Sequence, residues 1–374
     1  MPKATIPPLP MSGLFGLIKP SGPTSMSLRE STTVSIYAKS LLILPVNSLQ
    51  PLFSKSRLFA PQTKPEDAQP GNKAKRRRMK RGGDVKLGQG GTLDPLADGV
   101  LGTVIHFDQL DPLIAHDTVV LGVGKGTKKL TQFLDCTKEY RTTCLLGCET
   151  DSYDSEGAIV RNAPWKHVTK EAVEEALAQF TGEIKQTPPI FSALKMDGRP
   201  LYEYARKGIP LPRPIEARSV TVHSLKIEEW LGSSHTYKWP QKSLSEDEKK
   251  AMEKAIQGVD ESATIQDQPE ESKDDEVASA FVLSMKVSGG TYVRSVVHDL
   301  AHSLGSAGHV VTLTRSRQGR FVLGEGEPET EDRRCIPWEV FEKAVSGSST
   351  EADEDGWCEW EREVLQHIEI IEEK

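Results

Sequence analysis

"AFVLSMKVSGGTYVRSVVHDLAHSLG", residues 280–305, changes its hydrophobic period at the pair Gly289 and Gly290. Before the glycines, Phe281, Leu283, Met285 and Val287 alternate with Val282, Ser284, Lys286 and Ser288, the period of a strand. After them, Val293, Val296, Val297, Leu300, Ala301 and Leu304 fall on one stripe at helical spacing. Arg294 lies off that stripe in the first turn, where the helix amides disfavour a cation, so the position calls for a carboxylate or phosphate beside it. The two periods recur upstream. "YRTTCLLG" (140–147) reads as a strand, and "TKEAVEEALAQFTG" (169–182) as a helix with Val173, Ala176, Leu177 and Phe180 on one face. Thr169 is its expected N-cap and Gly182 its stop. Strands and helices mixed without a strict βαβ rhythm, and without internal repeats, predict an α+β fold around a large mixed sheet.

The 374 residues are 37% hydrophobic, enough to fill a sizeable core. No apolar run approaches the ~20 residues that span a bilayer; the longest candidate, "LLILPV" (41–46), is broken by proline, and no membrane role is expected. The five cysteines form no CxxC pair and read as reduced thiols rather than a disulfide framework or zinc knuckle. A formal net charge of -7 argues against a protein that coats nucleic acid through bulk charge. The charges are clustered, however: "KAKRRRMKRGG" (73–83) is basic, while acids concentrate at 245–276 and 326–374, so a local cationic face is compatible with the negative total. Segments 60–84, 232–279 and 325–374 are poor in apolar residues and are expected to be disordered or loosely helical inserts and tail.

Several side chains carry potential chemistry. In "GQGGTLDPLADGVLG" (88–102) Asp94 sits between glycines and Pro95; locally, an Asx-turn or cap is the commoner role for such an acid, and a catalytic carboxylate on a defined loop is the alternative. "VLGVGKGTKKLTQFL" (120–134) has glycines before a helix but no GxxxxGK[ST], so a nucleotide triphosphate site is excluded. Lys125, Lys128 and Lys129 there suit a nucleic-acid phosphate or simply a solvated face. Tyr140 opens a strand, where packing is its ordinary role, and Asp151 and Asp154 follow in a turn-like segment. The histidines show no HExxH, and His298 and His302, on a mainly polar face, read as surface residues.

Six stretches in unbroken order, "GLFGLIKPSGPTS", "GGTLDPLADGVLG", "GKGTKKLTQFLDCTKEYRTTCLLGCETDSYDSEG", "PPIFSALKMDGRPLYEYARKG", "GGTYVRSVVHDLA" and "GHVVTLTRSRQGRF", resemble the TruB family of tRNA pseudouridine synthases, in particular its fungal members that modify the T-loop uridine at tRNA position 55. The resemblance implies a pseudouridine-synthase-like α+β domain with a large mixed, mainly antiparallel sheet flanked by helices, without a PUA domain. It implies Asp94 as the catalytic aspartate, Tyr140 as the ring that stacks on the flipped base and helps deprotonate C5, and Arg294 as the partner of the aspartate. Leu304 would form the apolar floor, and Tyr202, in "FSALKMDGRPLYEYAR", would belong to the pocket rim that meets the T arm. Lys125 and Lys128 would bind tRNA phosphates. Gln89 stands where the family usually has histidine, a position associated with prying out the base. Glutamine forms hydrogen bonds but carries no charge, so weakened flipping is expected.

The implied reaction breaks the N1–C1′ bond, turns the uracil and joins C5 to C1′, which requires no cofactor and no metal. The implied partner is the tRNA T arm, with no guide RNA, and the expected state is a monomer in the nucleus, cytoplasm or mitochondrion. The organisation expected is a tail (1–12), a catalytic domain (13–324) and an acidic tail (325–374). Inserts are expected at about 29–45, 60–84, 106–120 and 232–279. Those at 29–45 and 106–120 interrupt expected core elements and read as retained intron sequence or as segments that bulge from the core. A non-catalytic tRNA-binding or tRNA-folding protein on the same scaffold is the alternative function.

Overall fold

The computed structural model describes residues 9–20, 49–60, 85–90, 116–192, 194–207, 209–250, 267–268, 276–323, 331–347 and 351–371. Asp94, the proposed insert at 29–45 and residues 106–115 therefore lie outside the described residues, as does the insert at 60–84 beyond Ala60. In chain order the strands are β1 (Gly13–Pro20), β2 (Leu87–Gln89), β3 (His116–Val123), β4 (Lys138–Leu146), β5 (Cys148–Thr150), β6 (Ile159–Asn162), β7 (Gly182–Gln186), β8 (Lys195–Met196) and β9 (Arg199–Pro200). They continue as β10 (Arg218–Gly232), β11 (Ala280–Val287), β12 (Gly308–Gln318), β13 (Phe321–Val322), β14 (Arg333–Pro337) and β15 (Glu369–Ile370). The helices are α1 (Gln50–Lys55), α2 (Lys170–Ala176), α3 (Leu201–Lys207), α4 (Val293–Ser303), α5 (Trp338–Ser346) and α6 (Glu359–His367). The fold is α+β, with mixed sheet and helices. The chain divides into two compact units, Met1–Pro95, His116–Cys136 and Ser316–Lys374 in one, Leu96–Ala115 and Thr137–Arg315 in the other.

In the first unit β1 is the central strand. Along its whole length it pairs antiparallel with β3, Gly13 opposite Val123 and Pro20 opposite His116. On its other edge it takes β15 antiparallel at Gly13 and Leu14, then β14 in parallel at Gly16–Ile18. The strand β3 overturns part of the expectation for 106–120: His116–Val120 does not bulge from the core but forms sheet, as the β-branched run Thr118, Val119, Val120 favours. The expectation of a disordered acidic tail is also overturned. Residues 331–347 and 351–371 contain β14, α5, α6 and β15, and Trp338, Phe341, Trp357, Trp360 and Val364 are buried in the unit's core. Phe53, Phe341 and Trp360 meet there as neighbouring rings with Phe15 and Phe59. The acids of this segment occupy mostly outward positions, so its average charge conceals a few large apolar side chains on its inner side.

The glycine-rich stretch after β3 continues as a 3-10 helix over Gly124–Phe133, not an α-helix. Gly126 is required by packing: a Cβ there would run into the carbonyl oxygen of Gly13 on β1. Gly126→Ala is expected to destabilise the first unit by about 1–3 kcal/mol through this overlap, read as a lower urea midpoint of the wild-type transition. An unchanged midpoint would mean that β1 and the 3-10 turn do not pack so closely.

The second unit orders its strands β12, β4, β11, β10, β7. The pairs β4–β11, β11–β10 and β10–β7 are antiparallel, as expected. The predicted strand 280–287 is β11, buried at every position but Ser284 and Lys286. The predicted helix begins at Lys170 with Thr169 Oγ1 accepting from the Ala172 amide, buries Val173, Ala176 and Leu177, passes into a 3-10 turn at Leu177–Phe180, and stops at Gly182 with φ 94°. Helix α4 buries Val293, Val296, Val297, Leu300 and Ala301 in the same core.

The segment 232–279 also departs from expectation over its first part. Trp239 packs on the unit's core and donates Nε1–H to the Leu146 carbonyl at 2.9 Å, and the Lys242 carbonyl and Leu244 amide bond to Ile159 of β6. Two indole and phenol rings at Tyr237 and Trp239 supply the apolar area that the surrounding charges disguise. Among the described residues, no helix is long and apolar enough to cross a membrane, and all five cysteines are free thiols.

Candidate active site

The residues leading to Asp94 are held within the first unit. Gln89, half-buried on β2, is opposite Leu121 of β3. The Gly90 amide donates to the Val120 carbonyl at 2.8 Å. The Gly90 carbonyl accepts from the buried Gln318 amide, whose Nε2 also donates to the Phe133 carbonyl at 3.2 Å. Lys125 and Lys128 are exposed on the 3-10 stretch of the same unit, and the Lys125 amide already donates to Ser12 Oγ at 3.2 Å.

In the second unit the chemistry gathers at the start of α4. Gln186, 1% exposed at the end of β7, bonds in both directions with the backbone of Tyr292: Nε2 donates to its carbonyl at 2.9 Å, and its amide donates to Oε1 at 2.8 Å. Ser295 Oγ donates to the Thr187 carbonyl at 2.9 Å. These bonds fix where the helix begins.

Arg294, 2% exposed, then donates Nη1–H to the Ser152 carbonyl at 2.6 Å and Nη2–H to the Phe191 carbonyl at 2.8 Å. Its Nη1 lies 3.4 Å from Asp154 Oδ2. The cation in the first helical turn thus has the carboxylate that its position demanded. Asp154 is itself held, because Oδ1 accepts from Ser152 Oγ at 2.5 Å and from the Glu156 amide at 3.2 Å.

The other residues singled out from the sequence take different places. Tyr140 is half-buried on β4, opposite Met285 of β11, and packs at the edge of the unit's core. Tyr202 is the second residue of α3, its amide donating to the Ser192 carbonyl at 3.1 Å. Leu304 caps the C-terminal end of α4, ten residues beyond Arg294 and so about 15 Å along the axis. The structure does not bring Leu304 together with Arg294.

His298 and His302, both expected at the surface, differ: His302 is exposed, whereas His298 is buried. His298 is 9% exposed, and its ring stacks on that of Tyr153 with centroids 3.8 Å apart. Its Nε2 lies 3.2 Å from Glu149 Oε1, a charge contact, and its Nδ1 lies 2.8 Å from Asp299 Oδ1. His302 Nε2 lies 2.8 Å from Glu149 Oε2, the same oxygen that accepts from Arg161 Nε at 2.8 Å. The expectation fails for His298, whose side of α4 faces Glu149 on β5, and holds for His302, which is exposed while still reaching the same carboxylate. Burial opposes ionisation of Glu149, yet His298 and His302 hold its carboxyl well below the usual range. Burial likewise opposes a charge on His298, but Glu149 and then Asp299 outweigh it and raise its pKa to about 9. These donor atoms lie within 4.8 Å of one another, the reach of a cation site, and Arg161 already supplies positive charge to that carboxylate.

His309 is the opposite case. It is fully buried on β12, with Nδ1 donating to the Cys148 carbonyl at 2.9 Å and Nε2 lacking a hydrogen-bond partner among the described residues. Burial lowers its pKa to about 4, against the opposing Cys148 bond. With an unfolded value of about 6.5, the unfolded chain binds more protons below that pH, so stability present above about 6.5 is lost as pH falls towards 4. The urea midpoint should therefore drop across this window, and less so in His309→Gln. Equal pH slopes for the two proteins would contradict the assignment.

Asp154 was visible in the sequence only as one of two acids in a turn, and Gln186 carried no signal, being an ordinary polar residue in a strand. His298 and His302 are four residues apart on one helix, a spacing that places both rings beside one facing carboxylate.

The chain can now be compared with known proteins. The family model described as TruB family pseudouridylate synthase (N terminal domain) matches residues 76–242. The chain is 34% identical over 379 residues to tRNA pseudouridine synthase 4 of Schizosaccharomyces pombe, covering 88% of this chain and 82% of that protein. It is 32% identical over 400 residues to tRNA pseudouridine synthase 4 of Saccharomyces cerevisiae, covering 97% and 88%. Among solved structures, "Crystal Structure of a Cbf5-Nop10-Gar1 Complex" aligns with a TM-score of 0.44 at 17% identity over 96% of this chain and 60% of that one. With a matching family model and two relatives aligned over more than four fifths of their length, the chain belongs to the TruB family of pseudouridylate synthases.

Proposed function

We propose that the chain isomerises the T-loop uridine at position 55 of tRNA to pseudouridine, with Asp94 as the catalytic carboxylate. Activity as a tRNA pseudouridine synthase accords with the full-length relatives, and the observation that supports the site assignment is Arg294, buried and held by three acceptors at the start of α4. In the reaction the N1–C1′ bond breaks, the uracil turns, the C5–C1′ bond forms, C5 loses its proton and N1 gains one. Atoms and electrons balance without an external oxidant or reductant.

Asp94 acts as nucleophile or takes the C2′ proton; either role requires an ionised carboxylate, which a neighbouring Arg294 would favour by opposite charge. Tyr140 would stack on the extruded base and help deprotonate C5. Extrusion costs about a few kcal/mol, which such stacking partly offsets. Gln89 would help displace the base by hydrogen bonding alone, Tyr202 would line the rim, Leu304 would contribute apolar surface, and Lys125 and Lys128 would meet phosphates, so that binding weakens with salt.

Recognition of the T arm by a single chain, with no guide RNA, completes the proposal. The basic run 73–83 would serve import into the nucleus. The test is tritium release from a T-arm RNA carrying C5-tritiated uridine. Release is expected from the RNA with uridine at position 55, and none when that uridine is replaced by cytidine and other uridines carry the label. Equal release from both would contradict the site of action.

A further inference from the structure

The turn that holds Arg294 is gripped twice from one side of α4. Arg294 and His298 are four residues apart and so lie one above the other on the helix. Arg294 bonds the Ser152 carbonyl and pairs with Asp154, while His298 stacks on the ring of Tyr153 between them. Tyr153 has φ 63°, a left-handed conformation that a tyrosine keeps only when its surroundings impose it. Its ring reaches along the helix and stacks on His298.

We propose that His298 is a positioning residue for the isomerisation, holding the Ser152–Asp154 turn in the shape that orients the Arg294 guanidinium. The inference rests on the proposed role of Arg294. His298 is fixed in turn by Glu149 on β5, backed by Arg161 on β6, by Asp299 and His302 on its own helix, and by Tyr153 from the turn, with Arg294 one helical turn away. While protonated, His298 pairs with Glu149 and presents a cation to the Tyr153 ring. Loss of its proton as pH rises through about 9 removes both attractions and frees the turn.

A geometric error of this kind acts on kcat more than on RNA binding, because Arg294 serves the reacting groups rather than the T arm. With C5-tritiated T-arm RNA, wild-type kcat should fall as pH passes about 9. His298→Gln should lower kcat at neutral pH by about 10- to 100-fold, leave KM unchanged, and lack the fall near 9. Tyr153→Gly accepts the positive φ without strain but removes the ring, so it should lose kcat to the same degree when assayed well below its own lowered melting temperature, whereas Tyr153→Phe keeps the stack and should retain both melting temperature and activity.

Full kcat in His298→Gln, a rise in KM alone, or wild-type kcat in Tyr153→Gly would overturn the positioning role. Failure of the wild type itself to release tritium would count instead against the proposed function.

Discussion

Replacing Arg294 by methionine is expected to abolish measurable isomerisation and to weaken the fold together. The side chain is among the largest fully buried ones, and its guanidinium satisfies two backbone carbonyls and the 4% exposed Asp154. Methionine replaces the aliphatic stem but not the guanidinium, and so leaves a buried carboxylate without its cation, a loss of about 3–5 kcal/mol. If the guanidinium also stabilises charge at Asp94, kcat should fall by about 10²–10³ or more. Lysine should not rescue, because one ammonium cannot reproduce the planar fork that reaches acceptors at Ser152, Phe191 and Asp154 at once. Urea unfolding and tritium release check the two effects separately. A variant that melts and reacts like the wild type would remove Arg294 from both roles.

Deleting the chain from Arg333 onward is expected to unfold the first unit. The deletion removes β14, the parallel neighbour of β1, and β15 at the start of the same edge. It also removes Trp338, Phe341, Trp357, Trp360 and Val364 from the core that surrounds Phe15 and Phe53. A single buried aromatic truncated to alanine costs about 3–5 kcal/mol, and a whole domain is stable by only about 5–15 kcal/mol, so the loss of several exceeds what the unit can bear. Trp360→Ala alone should lower the melting temperature markedly while leaving a folded protein. Circular dichroism and limited proteolysis provide the check. A deletion variant with native helix content and protease resistance would restore the segment to the status of a tail.

These two regions show what the sequence does and does not reveal. Local pattern suffices for α2, with its Thr169 cap and Gly182 stop, and for β11, because their periodicities are set by immediate neighbours. It also suffices for the demand of Arg294 for an anion, since the helix amides are part of the same segment. Which acid answers it is a different matter. Asp154 is 140 residues away in the chain, and only the fold brings it to 3.4 Å. The burial of His298 has the same origin, depending on Glu149 of a distant strand.

The C-terminal segment misleads for another reason. Averaged over fifty residues its acids dominate, whereas the spacing Trp338, Phe341, Ala344 and the pair Trp360, Val364 place the apolar side chains on one face of each helix. Of the expected site residues, Arg294 and Tyr140 belong to the second unit and Gln89, Lys125 and Lys128 to the first, while Asp94 rests on the family motif alone.

That residue is where the account is most directly tested. Wild-type protein and Asp94→Asn are compared on a T-arm RNA with C5-tritiated uridine at position 55, with binding followed on the same RNA. The prediction is stoichiometric tritium release by the wild type, none by Asp94→Asn, and equal, salt-sensitive binding by both. Tritium release by Asp94→Asn at the wild-type rate, or binding without release by the wild type, would contradict an aspartate-dependent pseudouridine synthase.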